Sequence, residues 1–124
     1  MAITGTRLAC ALAETKALTL TAASPGVVAG TMAKVEDVVG FYFKAADTGD
    51  SVAFIYYAPK VVVPCAAAAS GSYAVGSKVY FDAAEAEVNE SSTGNTLCGV
   101  VLEQPATSAE EVLIALDGTL GIVS

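Results

Sequence analysis

The chain lacks most of the side chains that catalysis uses. Its 124 residues include no His, no Trp and only 3 Cys. Without His, a Ser, Thr or Cys nucleophile would have only a carboxylate or a Lys as its base, and no such pair is marked by its spacing. We therefore expect no enzymatic activity, no catalytic residue and no cofactor. The composition instead favours a protein that works through its shape and its surface.

The cysteines and aspartates do not form recognisable metal motifs. Cys10, Cys65 and Cys98 stand far apart, and their spacing matches neither a metal cage nor a disulfide framework. Asp47, Asp50 and Asp82 lack calcium-loop spacing, and Asp is common at turns because it hydrogen-bonds the backbone. The sequence therefore predicts no metal site, and free thiols on a chain that folds in a reducing cytoplasm.

Positive charge is scarce and ends early in the chain. Lys and Arg total 6 and Asp and Glu total 13, for a net charge of −7. Lys78 is the last basic residue, and only acidic charges follow it. Nucleic-acid binding requires a basic stripe, and an anionic membrane surface would repel this chain. We expect neither partner. The acidic second half is either a solvated face or a match to a basic partner.

Long hydrophobic runs are also missing. The longest covers residues 61–69 and contains Pro64, whereas a membrane-spanning helix needs about 20 apolar residues. The apolar run after Arg7 ends at Glu14 and is shorter than the roughly 7–15 residues of a signal peptide. We expect no membrane span and no signal peptide.

Apolar residues are nevertheless abundant, at 54% of the chain, and charged residues make up 15%. An ordinary soluble domain has about 25% charged residues. Much of the apolar count is Ala, which tolerates exposure. Because large exposed apolar patches usually mark contacts with other chains, the composition favours self-association or docking on a partner.

From Lys16 onward the pattern is typical of strands. Residues 17–21 alternate apolar and polar side chains, and later segments are rich in β-branched and aromatic residues. Turn residues recur between the segments, which indicates an all-β fold. We expect a single β-sandwich or barrel-like domain of about eight short strands, with strand segments at 17–21, 27–29, 32–35, 38–44, 52–57, 61–63, 78–82, 97–103 and 112–116. Pro59 and Lys60 are expected to break the chain between two of these strands, and Gly40 to mark a bulge or a close contact.

The first fifteen residues follow a different pattern. Leu8, Ala11, Leu12 and Thr15 fall at helical spacing, which predicts one or two helical turns, although so short an isolated helix is marginal. The segment is either a flexible terminus or an arm that orders against another subunit. We divide the chain into an N-terminal arm or short helix (1–15), a β domain (16–118) and a C-terminal tail (119–124).

Two segments resemble ligand sites but depart from them. Residues 71–78 have Ser and Lys in the wrong order for a phosphate loop, and a strand follows instead of a helix. Residues 24–28 and 35–40 resemble the opening of a biotinyl or lipoyl domain. The segment around Lys44, the nearest acceptor candidate, lacks the acceptor motif. A carrier domain is therefore the weaker alternative.

A closer resemblance extends over roughly residues 16–118. It is carried by the order and spacing of four stretches: 25–30 (PGVVAG), 39–52 (VGFYFKAADTGDSV), 76–82 (GSKVYFD) and 95–103 (NTLCGVVLE) followed by 112–118 (VLIALDG). In these the chain resembles the tailed-phage and prophage capsid decoration, or cement, proteins. They form a small all-β family classed as a domain of unknown function and sometimes labelled as phage recombinase. The chain departs from the pattern at Thr31, where the family often has Asp. Without a phosphate loop or a basic patch, the recombinase label has no support here.

The resemblance implies a tulip-like β fold and a role on the virion. Such proteins bind the outside of the icosahedral head, commonly as trimers, and stabilise the contacts between capsomers. The implied partners are the major capsid protein and the chain itself as a homotrimer. The implied location is the capsid exterior, after synthesis in the host bacterial cytoplasm. The alternative is another structural component of the virion, such as a tail or baseplate accessory.

The N-terminal arm supplies the candidate contact residues. We hypothesise that Arg7, Leu8 and Leu12 form part of the interface with the capsid or with a neighbouring subunit, because they belong to the segment outside the predicted β domain.

Overall fold

The computed structural model describes residues 6–23 and 26–120. Residues 1–5 of the predicted arm, Ser24 and Pro25, and most of the predicted tail lie outside the described residues. The described chain confirms the all-β fold. Its strands are β1 (Arg7–Leu8), β2 (Lys16–Thr21), β3 (Met32–Val35), β4 (Val38–Tyr42), β5 (Ser51–Pro64), β6 (Lys78–Asp82), β7 (Glu87–Asn89), β8 (Thr96–Glu103) and β9 (Glu111–Asp117), with one 3-10 turn at Leu12–Glu14.

The 14-residue strand β5 is the centre of a single sheet. Its first half pairs with β2 on one edge and with β4 on the other, and its second half pairs with β1 and β9 in the same way. From β5 the sheet continues through β9, β8, β6 and β7. A parallel bridge between Cys65 and Val88 brings β7 back to the end of β5. The sheet therefore curls into a nearly closed barrel, one of the two architectures expected from the sequence.

Side chains alternate between the barrel interior and its outer surface. Along β9 every second residue is buried, as the two-residue period of a strand requires. The interior is filled by residues from β5, β6, β7, β8 and β9 and from the loop after β5: Val61, Val63, Cys65, Ala68, Tyr73, Val79, Phe81, Val88, Cys98, Val101, Val112, Ile114 and Leu116. The barrel is thus a packed core whose apolar contacts join strands far apart in sequence.

Strand β5 is buried on both faces at Phe54 and Ile55. Ile55 belongs to the main core, while its neighbour Phe54 is fully buried and points to the opposite face. The Phe54 ring lies 5.2 Å from the Tyr42 ring at an interplanar angle of 59°. Leu18 of β2 is paired with Phe54 in the ladder, and directly opposed residues point to the same face. A second, smaller apolar layer therefore lies under β2 and β4.

Gly40 confirms the close contact that the sequence predicts. A Cβ atom at this position would overlap the carbonyl oxygen of Ile55 and would lie 2.9 Å from Cε2 of Phe54. Since a real side chain cannot fit there, β4 approaches β5 closely only because residue 40 is Gly.

Two expectations about strand limits are wrong. Pro59 and Lys60 do not end a strand, because they lie at the irregularity in the β5–β9 ladder between Ala58 and Val61, where a residue without ladder bonds is tolerated. Residues 27–29 form only an isolated bridge from Val27 to Ala46. Of the one or two helical turns predicted in the N-terminal segment, the structure shows a single 3-10 turn.

Candidate binding surface

The N-terminal segment is attached to β5 by main-chain hydrogen bonds, and further bonds within the segment close its 3-10 turn. The Ala9 N–H donates to the Lys60 carbonyl at 3.0 Å. In the 3-10 turn, the Ala11 N–H donates to Oε1 of Glu14 at 3.1 Å, and Oγ1 of Thr15 donates to the Leu12 carbonyl at 2.7 Å. The turn therefore holds Leu12 in an ordered position on the outer surface of the sheet.

The three predicted contact residues occupy different environments. Arg7 is paired through its backbone with Val62, and Leu8 with Val61. The Leu8 side chain packs against the main core, whereas the Leu12 side chain is 53% exposed. Part of the predicted arm therefore belongs to the sheet, while the division of the chain at residue 15 stays a prediction. Of the two leucines, Leu12 has the more surface left to bury against another chain.

Sequence reasoning did not single out β2 as a surface feature. Five of its six residues are exposed, and Leu18 keeps 39% of its side chain accessible. The Lys16 Nζ lies 5.4 Å from the centre of the Tyr57 ring, so the cation covers part of β5. One sequence signal could have found this strand: residues 15–35 include two Lys and no acidic residue, in a chain with net charge −7. We call β2 together with the 3-10 turn the β2 face.

Carboxylates gather at a different place, where β6 turns into β7. The pKa of Glu87 is raised, first by burial of its carboxyl and then by the negative charges of Glu85, Asp82 and Glu110. We call these four residues the acidic end. Like charges that already repel one another are costly to remove from water. The acidic end is therefore suited to face solvent.

The buried thiols are poor nucleophiles. Burial raises the pKa of Cys65 to about 11 and that of Cys98 to about 12, so both are neutral at physiological pH, and the thiolate is the reactive form. Tyr73, beside Cys65, donates its hydroxyl to the Ala66 carbonyl at 3.0 Å and closes the loop over the core. No group of three or more His, Cys, Asp or Glu side chains that could hold a metal is found in the described part of the chain.

A family model described as phage cement protein matches residues 12–116. This chain belongs to the phage cement protein family. The match begins at Leu12 and includes the whole β2 face and all of β3 to β8, while β1 lies outside it. Comparisons with curated proteins and with solved structures gave no match.

Membership confirms the family resemblance found in the sequence and gives the chain a capsid-associated function on the phage virion. A cement protein family is structural, which agrees with the expectation that the chain is not an enzyme. Within residues 6–23 and 26–120, the structure includes no helix of the length and apolarity needed to span a membrane.

Proposed function

We propose that this cement protein binds the outer surface of the icosahedral head and stabilises the contacts between capsomers. Its partners would be the major capsid protein and further copies of itself in a homotrimer. It would be made in the host bacterial cytoplasm and end on the capsid exterior. The family match over residues 12–116 is the observation that carries this proposal. The exposed apolar residues of the β2 face support it, since they provide surface for a partner to cover.

Such a protein would act as a clamp, by binding neighbouring capsomers and holding them together. Packaged DNA pushes capsomers apart, and a ligand that binds only the assembled shell stabilises it by mass action. When three linked copies bind neighbouring sites, each further contact forms at high effective concentration, so modest contacts give tight binding overall. The clamp needs no chemical step, no metal and no cofactor.

The distribution of charge and apolar surface suggests an orientation on the shell. Asp and Glu are depleted at the centres of protein interfaces, which favours an orientation with the acidic end toward solvent. Leu12, together with Arg7 and Leu8 of the same segment, would lie toward the shell or a neighbouring subunit. The main chain of this segment is already fixed on β5, so little conformational entropy would be lost on docking.

Binding to heads that lack the protein tests the proposal. Purified protein is mixed with expanded heads, tails are supplied separately, and the bound fraction is measured by sedimentation. We expect saturable binding to heads, density on the outer surface in electron cryomicroscopy, and DNA release at a higher temperature. Binding to tails alone would contradict the proposal and favour the tail or baseplate alternative. Binding to heads without a change in DNA release would contradict the stabilising role.

A further inference from the structure

Residues 6–9, which we call the strap, lie along the edge of β5 beyond β2. The Thr6 N–H donates to the Gly30 carbonyl at 2.9 Å, and the Ala9 N–H donates to the Lys60 carbonyl at 3.0 Å. Between these two bonds, β1 pairs with the second half of β5. The site of the strap is therefore formed by this edge of β5 together with the Gly30 carbonyl.

The strap is held by few interactions. Two residue pairs join β1 to β5, and Leu8 packs against the main core. The Thr6 hydroxyl oxygen is buried and has no hydrogen-bond partner in the described part of the chain, which costs about 1–3 kcal/mol. Segments with so few buried contacts open locally while the rest of the protein stays folded. We therefore expect the strap to leave β5 and return without unfolding the β domain.

The connection from the strap to β2 is longer than the position of the strap requires. It consists of the 3-10 turn, which is closed by bonds within the segment, and of extended backbone at Ala11 and Thr15 on either side. With the turn kept and its flanks extended, the chain from Ala9 to Lys16 spans about 20 Å. The β5 residues that these two face are only about 10 Å apart along the strand. Rotation at the ends of the turn therefore carries the strap away from its own β5 while the turn stays intact.

The described contacts identify what fits this site. The β5 edge accepts the strap sequence of this chain in a defined register, and every copy has the same strap and the same site. The strap of a second copy would make identical contacts, so exchange between copies loses no hydrogen bond or apolar contact of the strap. The family match begins at Leu12, so the strap is an addition to the domain that the family shares.

We propose that each copy inserts its strap along the β5 edge of a neighbouring copy, so that exchanged strands join the subunits. This inference rests on the self-association in the proposed function and adds the segment that mediates it. Head-to-tail exchange among three copies closes a ring, which agrees with a homotrimer. Within the trimer, each neighbouring site is present at high effective concentration. Subunits joined in this way separate only when a strap is withdrawn from β5, which opposes the outward pull of the capsomers.

A disulfide between the strap and β5 reports whether they belong to one chain or to two. Ala9 and Lys60 are exposed and form a hydrogen-bonded pair, in which Cα atoms lie about 5.5 Å apart, within the range that a disulfide spans. The variant Ala9→Cys/Lys60→Cys also carries Cys10→Ser, which removes the neighbouring thiol. After oxidation with diamide, we expect denaturing gels without reductant to show linked chains at two and three times 12.4 kDa.

Thr19→Cys/Ala53→Cys, also with Cys10→Ser, is the matched control, because Thr19 and Ala53 are exposed and directly opposed on β2 and β5. We expect it to run as one chain with an internal disulfide. Linkage between chains in both variants would contradict an exchange confined to the strap. If the strap variant forms only an internal disulfide while light scattering shows an oligomer, strap exchange is wrong and self-association stands. A single chain at every concentration would overturn both.

Nuclear magnetic resonance on the wild-type protein gives a second test, which decides if a variant misfolds or forms no disulfide. Isotope-labelled and unlabelled chains are unfolded together and refolded, and isotope-filtered NOE spectra then detect only contacts between chains. We expect a signal between the side chains of Leu8 and Val61, which are directly opposed in the ladder. An oligomer in which this signal arises only within one chain would overturn the proposal.

Discussion

Truncating Leu12 should weaken head binding while the free protein stays folded. Leu12→Ala removes three carbons, worth about 2.4 kcal/mol at roughly 0.8 kcal/mol per buried CH₂. Since 53% of the side chain is exposed in the free protein, about half of this, ~1.3 kcal/mol, remains to be gained on docking. That is about a tenfold loss of affinity for each contact. In a trimer that docks all three copies, the loss would approach a thousandfold if the contacts add.

The assay is a sedimentation titration of cement-free heads with wild type and Leu12→Ala, alongside urea unfolding of each free protein. Val75→Ala is the matched control, because Val75 is 68% exposed but lies in the loop before β6, away from the β2 face. We expect Val75→Ala to bind like wild type and to unfold within about 0.5 kcal/mol of it. Leu12→Ala should stay folded but lose about 1 kcal/mol, because nearly half of the Leu12 side chain is already buried in the free protein. Equal affinities for wild type and Leu12→Ala, or equal losses in the two variants, would refute the assignment of Leu12 to the interface.

Three further predictions concern the folded chain. Gly40→Ala should destabilise the protein by about 1–3 kcal/mol in urea unfolding, because the new methyl group overlaps the Ile55 carbonyl; unchanged stability would contradict the close approach of β4 to β5. Because the pKa of Glu87 is raised in the folded state, folded protein binds more protons than unfolded protein above the ordinary pKa of 4.5. The free energy of unfolding should therefore fall as the pH rises above 4.5. Glu87→Gln should reduce this dependence of stability on pH and should be more stable than wild type at pH 7. An equal dependence in both proteins would contradict the raised pKa of Glu87. Cys65 and Cys98 should react with a thiol reagent at pH 8 only after urea unfolding, since burial keeps both thiols neutral; rapid labelling of either in folded protein would contradict their burial.

Much of the architecture could be read from local sequence patterns. Alternation along residues 17–21 and the β-branched and aromatic residues of 78–82 and 112–116 predicted strands that the structure confirms as β2, β6 and β9. The close contact at Gly40 was also predicted. The continuity of β5 through Pro59 was missed, because Pro ends a strand only where its missing N–H is needed by a neighbour. That need depends on the β5–β9 ladder, which local sequence does not describe.

The candidate site was predicted less completely for the same reason. Leu8 and Leu12 look alike in a hydrophobicity pattern, but Leu8 packs against the core and Leu12 stays exposed. Leu18 was assigned only to a half-buried strand. Its exposure depends on β2 lying at an edge of the sheet, which is decided by pairing with a segment more than thirty residues away.

The sequence by itself determined the all-β class, the scarcity of catalytic groups and the placement of every basic residue before the acidic second half, because each follows from composition or from neighbouring residues. Long-range strand pairing established that β5 joins the two halves of the sheet, that β7 returns to the end of β5, and that one edge of β2 has no partner strand within residues 6–23 and 26–120. Those outcomes depend on which distant segments pair. The pairing is selected because side chains from distant strands must together fill one apolar core. A two-residue period does not encode that choice.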